Sequence, residues 1–363
     1  MVTEIVAPTE APHEPEPPPG TRRTGMPPLL RYMLVRIALI IPTVWILVTV
    51  VFLLMRVIGD PISAALGGKL SPEVIEQRKA EAGLDRPLPQ QYGEYLLGLL
   101  RGDLGTTLTD HRPITEILLV NGAATIELSF WALLVAFAVG IPLGRVAARH
   151  RDKVPDVVLR LLAILFYAAP VFFVGLLLKL AFSPFGWPVA GRASTGTELT
   201  LSDVRPKTNI MIIDAILWGD PAYIIDVLQH ALLPAIALGL LTGGVFLRLV
   251  RINLIQTLRT DYVTAARARG VPERRVLSKH AFRNALVPVV TVMGMQIAML
   301  MGGALLTETT FEWQGLGYTL GQYLLKRDFI AVQGIVTAFA LIVAVASLVI
   351  DFVVALVDPR VRF

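Results

Sequence analysis

Six apolar runs, each long enough to cross a bilayer, constrain this chain more than any other feature. A helix rises 1.5 Å per residue, so roughly 20 apolar residues traverse a hydrocarbon core of about 30 Å. Runs of that kind lie at about 37–55, 125–147, 157–182, 231–247, 285–306 and 330–357. The third carries Pro170 at its middle and the fourth carries Pro234, and either proline can bend its helix. Only 17% of the residues are charged, against about 25% in a soluble domain. The expected fold is therefore all-α, a polytopic membrane protein with six transmembrane helices.

Charge placement orients the runs. Arg145, Arg149, Arg151, Lys153 and Arg160 face only Asp152 and Asp156 in one connection, and nine basic residues between Arg248 and Arg283 face only Asp261 and Glu273 in another. The segments 56–120, 183–226 and 307–328 each hold more acids than bases. Basic loops stay on the cytoplasmic side, which puts both termini inside, in keeping with Arg22, Arg23, Arg31 and Arg36 ahead of the first run. The net charge of +5 sits in these loops rather than on one face of a soluble domain, which argues against nucleic acid as a partner. Membrane lipid is the expected surroundings. With no cysteine, disulfides, thiolate metal sites and cysteine nucleophiles are excluded.

Residues 1–28 are rich in proline and glutamate without an apolar period, a composition expected to stay disordered on the cytoplasmic side. They do not read as a signal peptide, because the first apolar run starts too late and no small-residue cleavage site follows it. The first span is expected within 29–56 and a structured extracytoplasmic segment over 57–120. There Ser71-Pro72-Glu73 starts a helix that Gly83 ends, and a second helix runs from 89 to 100 before Gly102. A membrane domain over 121–357 and a cytoplasmic end at 358–363 complete the expected organisation. The stretch 183–210, rich in Pro, Gly, Ser and Thr, reads as a long outer loop.

The segment DYVTAARARGVPERRVLSKHAFRN, residues 261–284, combines basic charge with a pattern that charge alone does not explain. Two helical turns over 262–269 end at Gly270, and Val271-Pro272-Glu273 starts another helix with Pro at its first position. Small Ala265 and Ala266 offer a close approach to another backbone. Arg267, Arg269, Arg274 and Arg275 can pair with acids or carbonyls around a groove. A surface helix held by lipid head groups would carry larger apolar anchors than this one does.

Extended to DYVTAARARGVPERRVLSKHAFRNALVPVV, this segment resembles the EAA-type cytoplasmic loop of ABC importer permeases, in the form used by the dipeptide/oligopeptide/nickel branch. Thr264-Ala265-Ala266 stands where the general pattern has Glu-Ala-Ala, with Gly270 four residues on, while Pro288 lies farther from the glycine than in sugar importers. AGLDRPLPQQYGEYLLGLLRGDLGTTL at 82–108, ETTFEWQGLG at 308–317 and the terminal ALVDPRVRF resemble the B-type peptide permease subunit of that branch. The resemblance spans about residues 30–363. It implies a type I ABC importer transmembrane domain whose loop 253–284 is a coupling helix seated on a cytoplasmic ATPase. It also implies a homologous second permease subunit, two ABC ATPase subunits or domains that bind ATP and Mg, and an extracytoplasmic substrate-binding protein. The chain itself is expected to hold no cofactor and to be no enzyme.

Gly67-Gly68-Lys69-Leu70 lacks the glycine spacing and the Ser/Thr of a phosphate loop, and the five histidines show no ligand spacing, so a metal site is not expected. Gln296 and Met299 in the fifth run, with Pro170 in the third, are candidates for the translocation path if Gly294, Gly302 and Gly303 pack on neighbouring helices. Packing alone explains Gln296 equally well. Lys179 is expected to reach the head groups. Asp351 reads either as a partner for an arginine such as Arg248 or as a solvated interfacial acid. A secondary transporter or channel independent of any ATPase is the alternative class, and would need buried ion-coupling acids or paired repeats. A membrane scaffold or sensor without transport is a third.

Overall fold

The computed structural model describes residues 28–66, 71–81, 83–205 and 207–357. The tail at 1–27, the Gly67–Leu70 stretch, the C-terminal 358–363 and the side chains of Asp351, Gly294, Gly302 and Gly303 lie outside the described residues. Among the described residues the regular structure is helical, apart from one isolated bridge between Thr106 and Pro113.

Among the described residues four helices are long and apolar enough to cross a membrane: α1 (Pro28–Ile58), α5 (Ile114–Arg149), α10 (Pro221–Thr257) and α16 (Phe329–Val357). Between the first two lie α2 (Pro61–Leu66), α3 (Pro72–Glu81) and α4 (Leu88–Leu100). After α5 come α6 (Val154–Ala168) and α7 (Val171–Phe182), a sharply bent apolar pair that makes a fifth passage when counted as one broken span. The segment before α10 contains α8 (Thr195–Leu201) and α9 (Met211–Trp218). Beyond α10 follow α11 (Asp261–Ala268), α12 (Glu273–Arg275), a π-helical turn Val276–Ala281 and α13 (Phe282–Ala285). Helix α14 (Val287–Phe311) occupies the place of the expected 285–306 span and, at 25 residues, is about 37 Å long. A short α15 (Leu316–Leu325) leads into α16.

Three expectations are corrected. The third run is not one gently kinked span: α6 and α7 meet at 103°. Pro170 has no amide proton and pushes the residue before it out of the helical region; Ala169 is extended (φ −73°, ψ 129°) and Pro170 itself caps α7. Pro234, in contrast, is accommodated inside α10. The 183–210 stretch is not simply a loop, since α8 forms within it, its N-cap Ser194 accepting a bond from the Thr197 amide. Lys179 does not reach outward. Its ammonium donates to the carbonyl of Thr310 (2.9 Å) at the C-terminus of α14, where a helix favours positive charge.

The centre of the molecule is the seam between α5 and α10. A β-carbon built on Gly140 would lie 2.6 Å from the carbonyl oxygen of Gly243, and one on Gly239 would lie 2.6 Å from that of Ala132. Glycine is the side chain that permits backbones this close, and two long helices thus pack along much of their length. Around the seam, Ala124, Leu128, Ala132, Leu238, Leu300 and Trp313 form one buried cluster shared by α5, α10 and α14. Along the other side, α1 and α16 hold α4 between them: Arg56 Nε donates to Gln91 Oε1 (2.9 Å), and Tyr95 and Thr337 share a hydroxyl bond (2.7 Å). Helix order and charge place α3, α4, α8, α9 and α15 on the extracytoplasmic face and α11 to α13 on the cytoplasmic one.

Candidate functional site

The cytoplasmic lobe begins where α10 ends. A turn through Thr260, in extended conformation, opens α11 with Asp261 against the helix dipole. The helix stops in a Schellman arrangement: the amide of Gly270 donates to Arg267 O (2.9 Å) and that of Val271 to Ala266 O (3.2 Å). Gly270 takes φ +74°, where a side chain on the α-carbon is costly. Pro272, one residue before the position read from the sequence, caps α12 in extended conformation (φ −61°, ψ 141°). Arg275 and Val276 then donate to its carbonyl at 2.8 and 3.1 Å.

This lobe has its own small core. Val263, Ala266, Val276, Ala281 and Ala285 are buried together with Ala148 of α5 and Leu254 of α10. Arg145 lies over the Phe282 ring at 4.3 Å, and Asn284 Nδ2 donates to Tyr262 Oη (2.9 Å), joining α11 to α13. Arg267 grips Glu273 with two bonds, Nε to Oε2 at 3.0 Å and Nη2 to Oε1 at 2.8 Å, across the glycine turn. That guanidinium holds the Glu273 carboxyl below the ordinary carboxylate range. The pair is a staple within the lobe and leaves Arg267 committed to it.

All eight residues singled out in this segment sit on the lobe, but they do not all face outward. Thr264, Arg267, Arg269, Gly270, Arg274 and Arg275 are exposed, Ala265 is half-buried and Ala266 is buried. Ala266 shares a face with Val263 three residues earlier, so it packs inward rather than presenting a surface for another backbone. Arg269, Arg274 and Arg275 have no ion-pair partner among the described residues. Below the lobe, Arg251 of α10 makes a paired contact with Asp156 of α6 (2.5 and 2.8 Å), fixing the start of the broken span.

The translocation-path candidates are placed apart from the lobe. Gln296 is half-buried on α14, Met299 and its neighbour Met295 are exposed on the same helix, and exposed Pro170 stands at the break between α6 and α7. Helix α7 packs on the outer end of α14, with Gly175 against Thr310 and Phe311.

Sequence reading missed a buried polar layer near the outer ends of α5 and α14. Glu127, 2% exposed, accepts from Arg192 Nη2 (2.6 Å) and from the amides of Met211 and Ile212 at the start of α9 (3.1 and 2.9 Å). Glu308, fully buried, accepts from Thr125 Oγ1 (2.7 Å) and the Tyr318 amide (3.0 Å). Trp313 Nε1 donates to Ala124 O and Asn121 Nδ2 to Gln314 O, which ties the 308–317 segment back across α5. A carboxylate inside an apolar run, as at Glu127, was the available signal; its partner is 65 residues away.

A helical subunit with several bilayer-length passages, a basic lobe on its cytoplasmic side and a buried polar layer toward the other face has the architecture of a membrane transport component. The descriptions of two family models coincide with that architecture: "binding-protein-dependent transport system inner membrane component" over residues 140–363, and the N-terminal region of such membrane components over 29–114. The chain belongs to this family of permease subunits, which are multi-pass proteins of the bacterial inner membrane and not catalytic enzymes. It is similar to the dipeptide transport system permease protein DppB of Escherichia coli (strain K12), 39% identical over 339 residues that cover 92% of this chain and 99% of that protein. The di/tripeptide transport system permease protein DppB of Pseudomonas aeruginosa (strain UCBPP-PA14) is 37% identical over 338 residues, 92% of this chain and 99% of that one. The glutathione transport system permease protein GsiC of Pectobacterium atrosepticum is 33% identical over 338 residues, 92% of this chain and all of that protein.

Proposed function

We propose that this chain is one of two permease subunits of an ATP-driven importer for short peptides, and that its lobe at 253–284 couples the membrane helices to ATP hydrolysis. A homologous second permease completes the pathway. Two cytoplasmic ATPase subunits or domains hold ATP and Mg, and an extracytoplasmic binding protein delivers the cargo. The names of the relatives, for dipeptides, di/tripeptides and glutathione, support the cargo class.

One observation carries the coupling role: the lobe is internally stapled and cored, yet leaves Arg269, Arg274 and Arg275 unpaired and exposed. A rigid body offering directed cations suits an acidic groove on a partner that moves. Its core residues are shared with α5 and α10, so a displacement of the lobe reaches the membrane helices. Shifts of packed helices of this kind are a known form of switching transition. Gln296, Met299 and Pro170 remain the proposed contributors to the pathway, beside the broken span.

The test uses the assembled importer in proteoliposomes. Cysteine at Thr264 or Arg269, both exposed, should crosslink to the ATPase, whereas cysteine at the buried Ala266 should not. Uptake that continues when both ATPases are removed would overturn the proposal.

A further inference from the structure

A cavity of about 90 Å³ opens on the extracytoplasmic face, between α8, α9 and the first turns of α5. Its lining includes Arg192, Glu198, Ser202, Lys207, Asn209 and Asp214. The volume has room for a few waters or one small polar solute.

The polar groups lining it are incompletely matched. Arg192 is 7% exposed; its Nη2 serves Glu127 and Asn209 O, but its Nε is buried without a partner. Lys207 is exposed and has no ion-pair partner among the described residues. Asp214, 3% exposed, receives the Thr208 amide and hydroxyl on Oδ1 (2.8 and 2.7 Å), and its carboxylate accepts no other hydrogen bond among the described residues. The carboxylate of half-buried Glu198 accepts no hydrogen bond among the described residues, and burial pushes its pKa up despite the nearby Arg192 and His230. Donors and acceptors with capacity to spare thus border the same small volume, and for the buried Arg192 Nε the missing partner is costly.

A simple anion here would face Glu198 and Asp214, and a simple cation would face Lys207 and Arg192. Only a ligand carrying both charges a few ångströms apart meets every open group. We infer that this cavity binds a small α-amino-acid zwitterion, its ammonium toward Glu198 and Asp214 and its carboxylate toward Arg192 Nε and Lys207. The inference concerns the outer face alone and needs nothing from the cytoplasmic lobe, so it stands or falls separately from the coupling proposal.

The experiment places the full-length chain in lipid nanodiscs and follows glycine, acetate and methylammonium by saturation-transfer NMR. Glycine should bind saturably, and the two single-charge probes at least tenfold more weakly. Glu198→Gln and Lys207→Gln should each weaken glycine about tenfold or more. Neither side chain makes a hydrogen bond in the structure, so the thermal unfolding midpoint should stay put and separate lost binding from lost fold. Acetate or methylammonium binding as well as glycine would overturn the zwitterion assignment. No saturable binding by any probe, or glycine binding untouched by both variants, would reduce the cavity to a water pocket.

Discussion

Gly270 shows how much one position can decide. Its φ of +74° is what turns the chain from α11 toward Pro272, and a β-carbon built there meets nothing within 4 Å. Gly270→Ala therefore clashes with no neighbour and acts through backbone strain, about 1–2 kcal/mol. The expected outcome is a folded subunit whose ATP hydrolysis no longer tracks uptake, measured as the ratio of cargo moved to phosphate released in proteoliposomes. Arg251 is a contrasting case, since its value lies in what it covers. Asp156 is fully buried beneath it, with Arg251 at 16% side-chain exposure. Arg251→Ala leaves that carboxylate with only the more distant Arg160 (3.9 Å) and the Asp152 amide (2.9 Å), and should cost about 2–3 kcal/mol. Asp156→Asn removes the charge while keeping the shape and should cost about 1 kcal/mol. Thermal unfolding in detergent should rank the two in that order. The glycine turn could be read from the chain because Gly-Val-Pro limits the backbone locally. The Arg251–Asp156 pair could not, because 95 residues and a broken helix separate its members.

The stapled lobe behaves as a unit with its own pH dependence. Arg267 lowers the Glu273 pKa below its ordinary value of 4.5. The stabilisation from the pair is therefore present in full above about 4.5 and is lost as pH falls through the lowered folded value. Both groups are about half-exposed, so solvent screens the effect and it is small. The protection factors of the amides from 261 to 275, with the slower intrinsic exchange in acid divided out, should fall below pH 4.5 in the parent protein. In Glu273→Gln the exchange should be quicker already at neutral pH and lack that step. Helices formed where capping residues, glycines and prolines coincided, as in Pro72–Glu81, Leu88–Leu100 and Asp261–Ala268. The break at Ala169-Pro170 went unread because a proline inside a membrane helix is compatible with a kink or a full break, and packing on α14 is what selects here. Ala266 was assigned to the wrong side for a related reason: its smallness suits close approach from either direction, and only the positions of α5 and α10 settle which one. The buried carboxylates Glu127 and Glu308 depend on backbone amides and hydroxyls that the fold alone gathers, from α5, α9 and the start of α15.

Helices α5 and α10 meet along glycines at several levels, Gly140 and Gly144 on one side and Gly239 and Gly243 on the other. Gly239→Leu forces a side chain toward Ala132 O and Val135, and overpacking of this kind costs about 1–3 kcal/mol. The variant should unfold at lower temperature, and it should also loosen contacts remote from the substitution, visible as faster amide exchange both near Leu254 and near Glu127. A change confined to the vicinity of residue 239 would show that the two helices are not mechanically joined. The pair is long: 37 residues make α10 a rod of about 55 Å. Its cytoplasmic end shares a core with the arginine-bearing lobe, while its partner α5 carries Glu127 at the opposite end, clasping Arg192. In the importer proposed above, a displacement of the lobe would travel along this seam to the Glu127–Arg192 clasp, linking the two faces through packed helices with no separate messenger between them.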